Sequence, residues 1–158
     1  MAREGITTEG AAGRLREAGL RVTAPRVGVL VALEALPHPD AETVAQHVRA
    51  SMGAVSTQAV YDVLHALTDA GLVRRIEPAG SAARFETRVG DNHHHLVCRG
   101  CGVVVDVDCT GDAVPCLVPQ PAHGFTVDEA EVTFWGLCPS CRSTSPHVRT
   151  SARTEEHE

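Results

Sequence analysis

Two Cys-x-x-Cys pairs stand far apart in the chain, Cys98 with Cys101 and Cys138 with Cys141, and the first follows three consecutive histidines, His93, His94 and His95. Thiolates two residues apart can hold one metal ion from a single turn of chain. Two such pairs complete a four-sulfur tetrahedron with no open position, which is the chemistry of structural zinc. The 36 residues between the pairs exceed the loop of a compact zinc ribbon, so they are expected to form a body pinned at both ends. The rival chemistry is a redox disulfide in each pair, which would make the chain a thiol-disulfide enzyme. Cys109 and Cys116 are left over. They fit buried structural thiols, a pair formed on oxidation, or a minor metal site.

The histidines suggest a second metal of a different kind. On a strand, His93 and His95 face one way and His94 the other. Two imidazoles so placed can grip one ion, and Asp106 on the next strand can add an oxygen. A mixed nitrogen and oxygen site suits Fe(II), Mn(II) or Zn(II). The plainer alternative is a polar edge strand with solvated histidines.

A third group of residues could read nucleic acid. In an apolar-striped helix expected from about Ser56 to Ala70, Val60, Val63, Leu64 and Leu67 form the buried side. Gln58, Tyr61, Asp62 and His65 lie off that stripe, and Ser56 and Thr57 sit at the N-terminus, where free backbone N–H groups favour a phosphate. Gln58 can pair with adenine and the Tyr61 ring can pack on a thymine methyl. Arg21 and Arg26 can hold phosphates. A solvated helix face, or a zinc-binding module whose winged helix contacts protein, would use the same residues.

These groups need a scaffold. Residues 1–9 look disordered. Helices are expected from about Ala11 to Ala18, from the Thr23 cap through Ala35, and from the Asp40 cap to a turn at Ser51. After the fourth helix come two short strands, 72–77 and 82–88, turning at Pro78–Ser81. Helices followed by a hairpin give the layout of a winged helix over residues 1–88. Residues 89–92 read as a hinge. Strands at 93–97 and 103–108, a proline-interrupted stretch at 111–124 and a mostly strand-like segment at 125–137 form a second domain, 93–142. Residues 143–158 read as a flexible tail.

The chain has 158 residues and a net charge of −6, all of it from residues 91–158, since charges balance over 1–90. There is no lysine, so every fixed side-chain cation is arginine; a biased codon supply is the plainer explanation, and the arginine fork also suits phosphate and guanine. No apolar run is long enough to span a membrane, and the N-terminus lacks an apolar signal core, so a cytoplasmic protein is expected. Thiols stay reduced there, which favours metal over disulfides.

Taken together these residues resemble the ferric uptake regulator (Fur) family over roughly residues 10–142. Leu20-Arg21-Val22-Thr23-Ala24-Pro25-Arg26, His38-Pro39-Asp40-Ala41-Glu42, Gln58-Ala59-Val60-Tyr61 and Arg84-Phe85-Glu86 resemble its motifs, as does the His-x-His-Leu-x-Cys-x-x-Cys-Gly block from His93. The segments 59–68 and 90–95 are similar to the actinobacterial branch that represses catalase-peroxidase genes and often its own. The resemblance implies an α+β protein that is not an enzyme. It implies a homodimer of winged-helix DNA-binding domains joined by C-terminal α/β dimerisation domains, repressing transcription from a palindromic AT-rich operator. It assigns structural Zn(II) to Cys98, Cys101, Cys138 and Cys141. It assigns regulatory Fe(II) or Mn(II), with Zn(II) able to substitute, to His38, Glu86, His93, His95 and Asp106. Two departures stand out. The family commonly has Arg where Asp62 stands, and peroxide-sensing relatives tend to have Asp where Glu86 stands. A third metal site found in some members is expected to be absent here, or rebuilt with His94, His123 or Cys116.

Overall fold

A computed structural model describes residues 6–91, 93–108, 123–127 and 130–144. The order is four helices, a hairpin and a small sheet, an α+β fold. The helices are α1 (Thr8–Glu17), α2 (Ala24–Ala35), α3 (Ala41–Met52) and α4 (Thr57–Asp69). Each begins where the chain supplies a cap. Thr7, Asp40 and Ser56 each accept a backbone N–H three residues on, and Pro25 presets the backbone in the first turn of α2. The helix α4 ends as expected, with Gly71 at φ +68° and Leu72 N–H returning to the Leu67 carbonyl at 3.0 Å.

The apolar stripes meet in one core. Leu15, Leu30, Val44, Val48, Val60, Leu64 and Leu67 are fully buried there, with Phe85 from the hairpin closing one side. Each such Leu contributes about 1.5–3 kcal/mol by leaving water. The hairpin pairs β1 (Arg74–Ile76) antiparallel with β2 (Arg84–Glu86). A second sheet has the order β4–β3–β5, from β3 (His93–Cys98), β4 (Val104–Asp108) and β5 (Thr133–Gly136). The strand β4 runs antiparallel to β3 and β5 parallel to it. Ile76 of the hairpin packs with Val97, Val104 and Trp135 of this sheet, so the wing and the second sheet share a small core.

Several expectations need correction. Residues 6–9 are ordered: α1 starts at Thr8 because Thr7 caps it through the Gly10 N–H at 3.1 Å. The helix α3 runs through Ser51 and Met52 and stops at Gly53, whose φ of +86° suits glycine. The strands β1 and β2 are shorter than the apolar runs suggested. Residues 125–127 form no strand. Pairing with β3 begins only at Thr133, and Phe125 is 78 % exposed. Ser143 and Thr144 belong to a short helix, α5 (Pro139–Thr144), where their hydroxyls bond carbonyls one turn back. The strand β3 is central, not an edge. Residues 1–5, 92, 109–122, 128–129 and 145–158 lie outside the described residues, and with them most of the proline-interrupted stretch and the rest of the tail.

Candidate metal centres

The strand β3 carries ligands for two clusters. At its far end Cys98 enters a tight loop in which Gly102 has φ +72°. Cys101 lies in that loop, and Cys138 and Cys141 flank the start of α5. All four sulfurs fall within 4.8 Å of one another. Cys101 and Cys138, from different pairs, approach to 3.8 Å. Sulfurs at about 2.3 Å from a tetrahedral ion would be about 3.8 Å apart, whereas a disulfide needs about 2.05 Å. Backbone N–H groups of Gly100 and Cys138 point at Cys98 Sγ, at 3.4 and 3.3 Å. A Cβ on Gly100 would lie 2.8 Å from Cys141 Sγ, so this close approach requires glycine.

The thiols differ sharply. Backbone N–H groups of Cys138 and Cys101 pull Cys98 down to about 6. The neighbouring sulfurs of Cys138, Cys101 and Cys98 push Cys141 up to about 12. Four sulfurs this close cannot all ionise side by side without a cation. A divalent ion among them would favour the thiolate at Cys141 as at the other three. The cluster therefore fits zinc.

The second cluster is more buried and draws on four separate elements. His38 stands in the loop before α3, Glu86 on β2, His93 and His95 on β3, and Asp106 on β4 opposite His95. Both β3 histidines are 1 % exposed and Glu86 is 4 %. The Nε2 atoms of His38, His93 and His95 converge on one oxygen, Glu86 Oε2, at 3.1, 3.1 and 3.3 Å. Asp106 Oδ1 lies 3.9 Å from His93 and from His95 Nε2. Ligand atoms about 2.1 Å from a shared ion would be about 3.0–3.4 Å apart, so the cluster suits a divalent metal. The ligand atoms of His38, Glu86, His95 and Asp106 all lie within 4.8 Å of one another; His93 joins them chiefly through Glu86. Burial raises the carboxyl of Glu86, but hydrogen bonds from His38 and His95 and the imidazole charges outweigh it, holding Glu86 well below the usual carboxylate range.

The loop bearing His38 is fixed from both sides. Phe85 N–H donates to the Pro39 carbonyl at 3.0 Å, Asp40 bridges to Arg84, and Arg84 Nη1 reaches the His38 carbonyl at 3.3 Å. His38 itself has φ +45°, rare for a residue with a side chain. A left-handed backbone costs about 1–2 kcal/mol, which these contacts hold in place. A cleft of about 400 Å³ lined by Leu36, Pro37, Val104 and Val105 opens beside His38, Glu86 and Asp106.

His94 faces the other way, buried, with its ring 6.3 Å from that of Phe134. His123 is exposed, and among the described residues it joins no metal-binding cluster with His94. Cys109 and Cys116 lie outside the described residues. On α4, Gln58, Tyr61, Asp62 and His65 form one exposed stripe. Gln58 Nε2 donates to Asp62 Oδ1 at 2.8 Å. Ser56 Oγ is used as the cap of α4, and Thr57 Oγ1 accepts from Arg49 Nη2 at 2.6 Å. Arg26 Nη1 donates to the Arg21 carbonyl at 2.9 Å, tying those two residues together.

Sequence reasoning missed Arg49, which also bonds the Val55 carbonyl and brings a cation to the N-terminus of α4. It also missed Asp91, whose Oδ1 lies 2.7 Å from His93 Nδ1. Its place two residues before a ligand histidine was the available signal.

Residues 17–133 match the pattern of the Ferric uptake regulator family. The chain belongs to that family. It is 62 % identical over 130 residues to the transcriptional regulator FurA of Mycobacterium tuberculosis, covering 82 % of this chain and 88 % of that one. It is 56 % identical over 130 residues to ferric uptake regulation protein 2 of Mycolicibacterium fortuitum, covering 80 % and 89 %. Among solved structures, the ferric uptake regulator of Pseudomonas aeruginosa with manganese aligns with a TM-score of 0.63 and 29 % identity, over 82 % of this chain and 98 % of that one. The fold is thus that of the Fur family, with a winged-helix part and a C-terminal α/β part, and the chain is a transcriptional regulator with two clusters suited to metals. No helix among the described residues is long and apolar enough to cross a membrane.

Proposed function

We propose that this Fur-family chain is a cytoplasmic, homodimeric repressor whose DNA affinity is set by a divalent metal at the His/Glu/Asp cluster. One observation carries the reading. The ligands come from both sides of the segment 89–92: His38 and Glu86 before it, His93, His95 and Asp106 after it. An ion held by all five would tie residues 1–88, the proposed DNA-binding domain, to residues 93–142, the proposed dimerisation domain. In a symmetric dimer that fixes the distance between two α4 helices, which is the geometry a palindromic operator reads. Metal binding and DNA binding are then linked in both directions.

The four cysteines hold structural zinc in this reading. Fe(II) or Mn(II) is the regulatory ion, and manganese in the Pseudomonas structure supports that ligand chemistry. On α4, Gln58 and Tyr61 read bases, with backbone at Ser56 and Thr57, and with Arg21 and Arg26, on phosphates. Dimerisation has support in the outer face of the second sheet. Val105, Leu96 and Phe134 sit in register across its three strands and are each about half exposed, an apolar band that a second copy would cover. The resemblance to catalase-peroxidase repressors gives the proposed targets: such a gene, iron-homeostasis genes and the chain's own gene. No catalytic role is proposed. The approach of Cys101 to Cys138 across the pairs favours a shared cage over disulfide exchange.

Fluorescence anisotropy on an AT-rich palindrome, with Mn(II) or anaerobic Fe(II), tests this. Metal should tighten binding at least tenfold. Equal affinity with and without metal would end the co-repressor reading.

A further inference from the structure

Two carboxylates near the regulatory cluster are shared in the same way. Asp91 Oδ1 meets His93 Nδ1 at 2.7 Å while its Oδ2 meets Arg88 Nε. Asp106 Oδ1 meets His38 Nε2 at 2.6 Å while its Oδ2 lies 3.7 Å from Arg88 Nη1. The remaining guanidinium nitrogen, Nη2, bonds Asp108 Oδ1 at 2.5 Å. One arginine, two residues after Glu86, thus holds the segment leading into β3 and two residues of β4. We propose that Arg88 and Asp91 are positioning residues for the regulatory metal. Asp91 sets the tautomer of His93, and Arg88 orients Asp91 and Asp106 together.

The tautomer follows from donor chemistry. An ionised carboxylate only accepts, so a hydrogen bond from His93 Nδ1 requires the proton on Nδ1. Nε2 is then left with its lone pair directed at the cluster. His93 has no freedom to turn away, because its side chain is fully buried. The other two histidines lack this support among the described residues, where no hydrogen-bond partner reaches Nδ1 of His38 or His95. Support of this kind changes metal affinity by about 10–100-fold. Arg88 carries a charge that repels a divalent ion, so its contribution must be geometric. The planar fork reaches three carboxylates in fixed directions, which the compact, rotating ammonium of a lysine does not reproduce.

The proposal rests on the regulatory-metal reading above, and the test separates the two. Zinc-loaded full-length protein is titrated with Mn(II) against a competing chelator, and the Co(II) form is followed by visible absorption. Asp91→Ala should weaken Mn(II) binding on the order of 10–100-fold and change the Co(II) bands, with zinc content and melting temperature unchanged. Asp91→Asn should recover part of the affinity, because its amide oxygen can still accept from Nδ1 while its NH2 no longer accepts from Arg88 Nε. Arg88→Lys keeps the charge and should still weaken binding several-fold. Wild-type affinity in Asp91→Ala, or equal losses in Asp91→Ala and Asp91→Asn, would overturn the proposal. If the wild type binds no Mn(II) beyond its zinc, or His95→Ala leaves binding intact, the regulatory-metal reading itself fails and takes the proposal with it.

Discussion

His38 Nε2 lies 2.6 Å from Asp106 Oδ1, joining a loop among the helices to a strand of the second sheet. Neither residue is near the other in sequence. The contact exists because the Pro39–Asp40 segment pairs with β2 while β4 pairs with β3, bringing both to Glu86.

His38→Ala should remove the one ligand that lies among the helices while leaving β2, β3 and β4 in place. Zinc content and helical circular dichroism should match the wild type. Metal-dependent operator binding should fall at least tenfold. Retained metal response would place the regulatory ion elsewhere.

Cys138→Ser should have the opposite profile. Removing one of four thiolates leaves an incomplete site, and the energy of zinc binding is also folding energy for such a module. Zinc per chain should drop well below one, with a stability loss of about 3 kcal/mol or more. Inductively coupled plasma analysis and thermal melting would check both, and a fully loaded, stable mutant would contradict the four-sulfur cage.

The apolar band on the second sheet gives a solution test. Leu96→Asp combined with Phe134→Ser puts polar groups at its centre and leaves both metal clusters untouched. Sedimentation velocity should show a monomer, and operator affinity should fall with it. An unchanged dimer would move the interface to another face.

Asp62 fixes the amide of Gln58 through one of its two N–H groups, and among the described residues the other N–H and the amide oxygen have no partner. That pair of groups is what adenine requires. Asp62→Ala should therefore lower discrimination at one base pair by about 1 kcal/mol. It should also raise non-specific affinity, because a charge facing phosphates is gone. Binding to single-base operator variants at two salt concentrations separates these effects.

The helices were legible because their signals are local: caps at Asp40 and Ser56, Pro25 in a first turn, and apolar stripes at helical spacing. Cys-x-x-Cys spacing likewise announces its own geometry. The second cluster was only half legible. His93, His95 and Asp106 follow from strand alternation, but His38 and Glu86 entered through family resemblance, since their proximity depends on a loop pairing with a distant strand. The buried state of β3 was hidden for the same reason: three histidines look like a solvated edge until β5 arrives in parallel on the far side. Arg49 and Asp91 went unnoticed because charged residues near helix ends and turns are ordinary, and only their partners distinguish them.

The strand β3 begins at His93 and ends at Cys98, so one short strand is common to both proposed ions. Zinc held at Cys98 would steady the frame on which His93 and His95 stand, because metal binding in such a module is also folding energy. In the proposed reading, a chain deprived of zinc would therefore respond poorly to iron or manganese, however abundant they are.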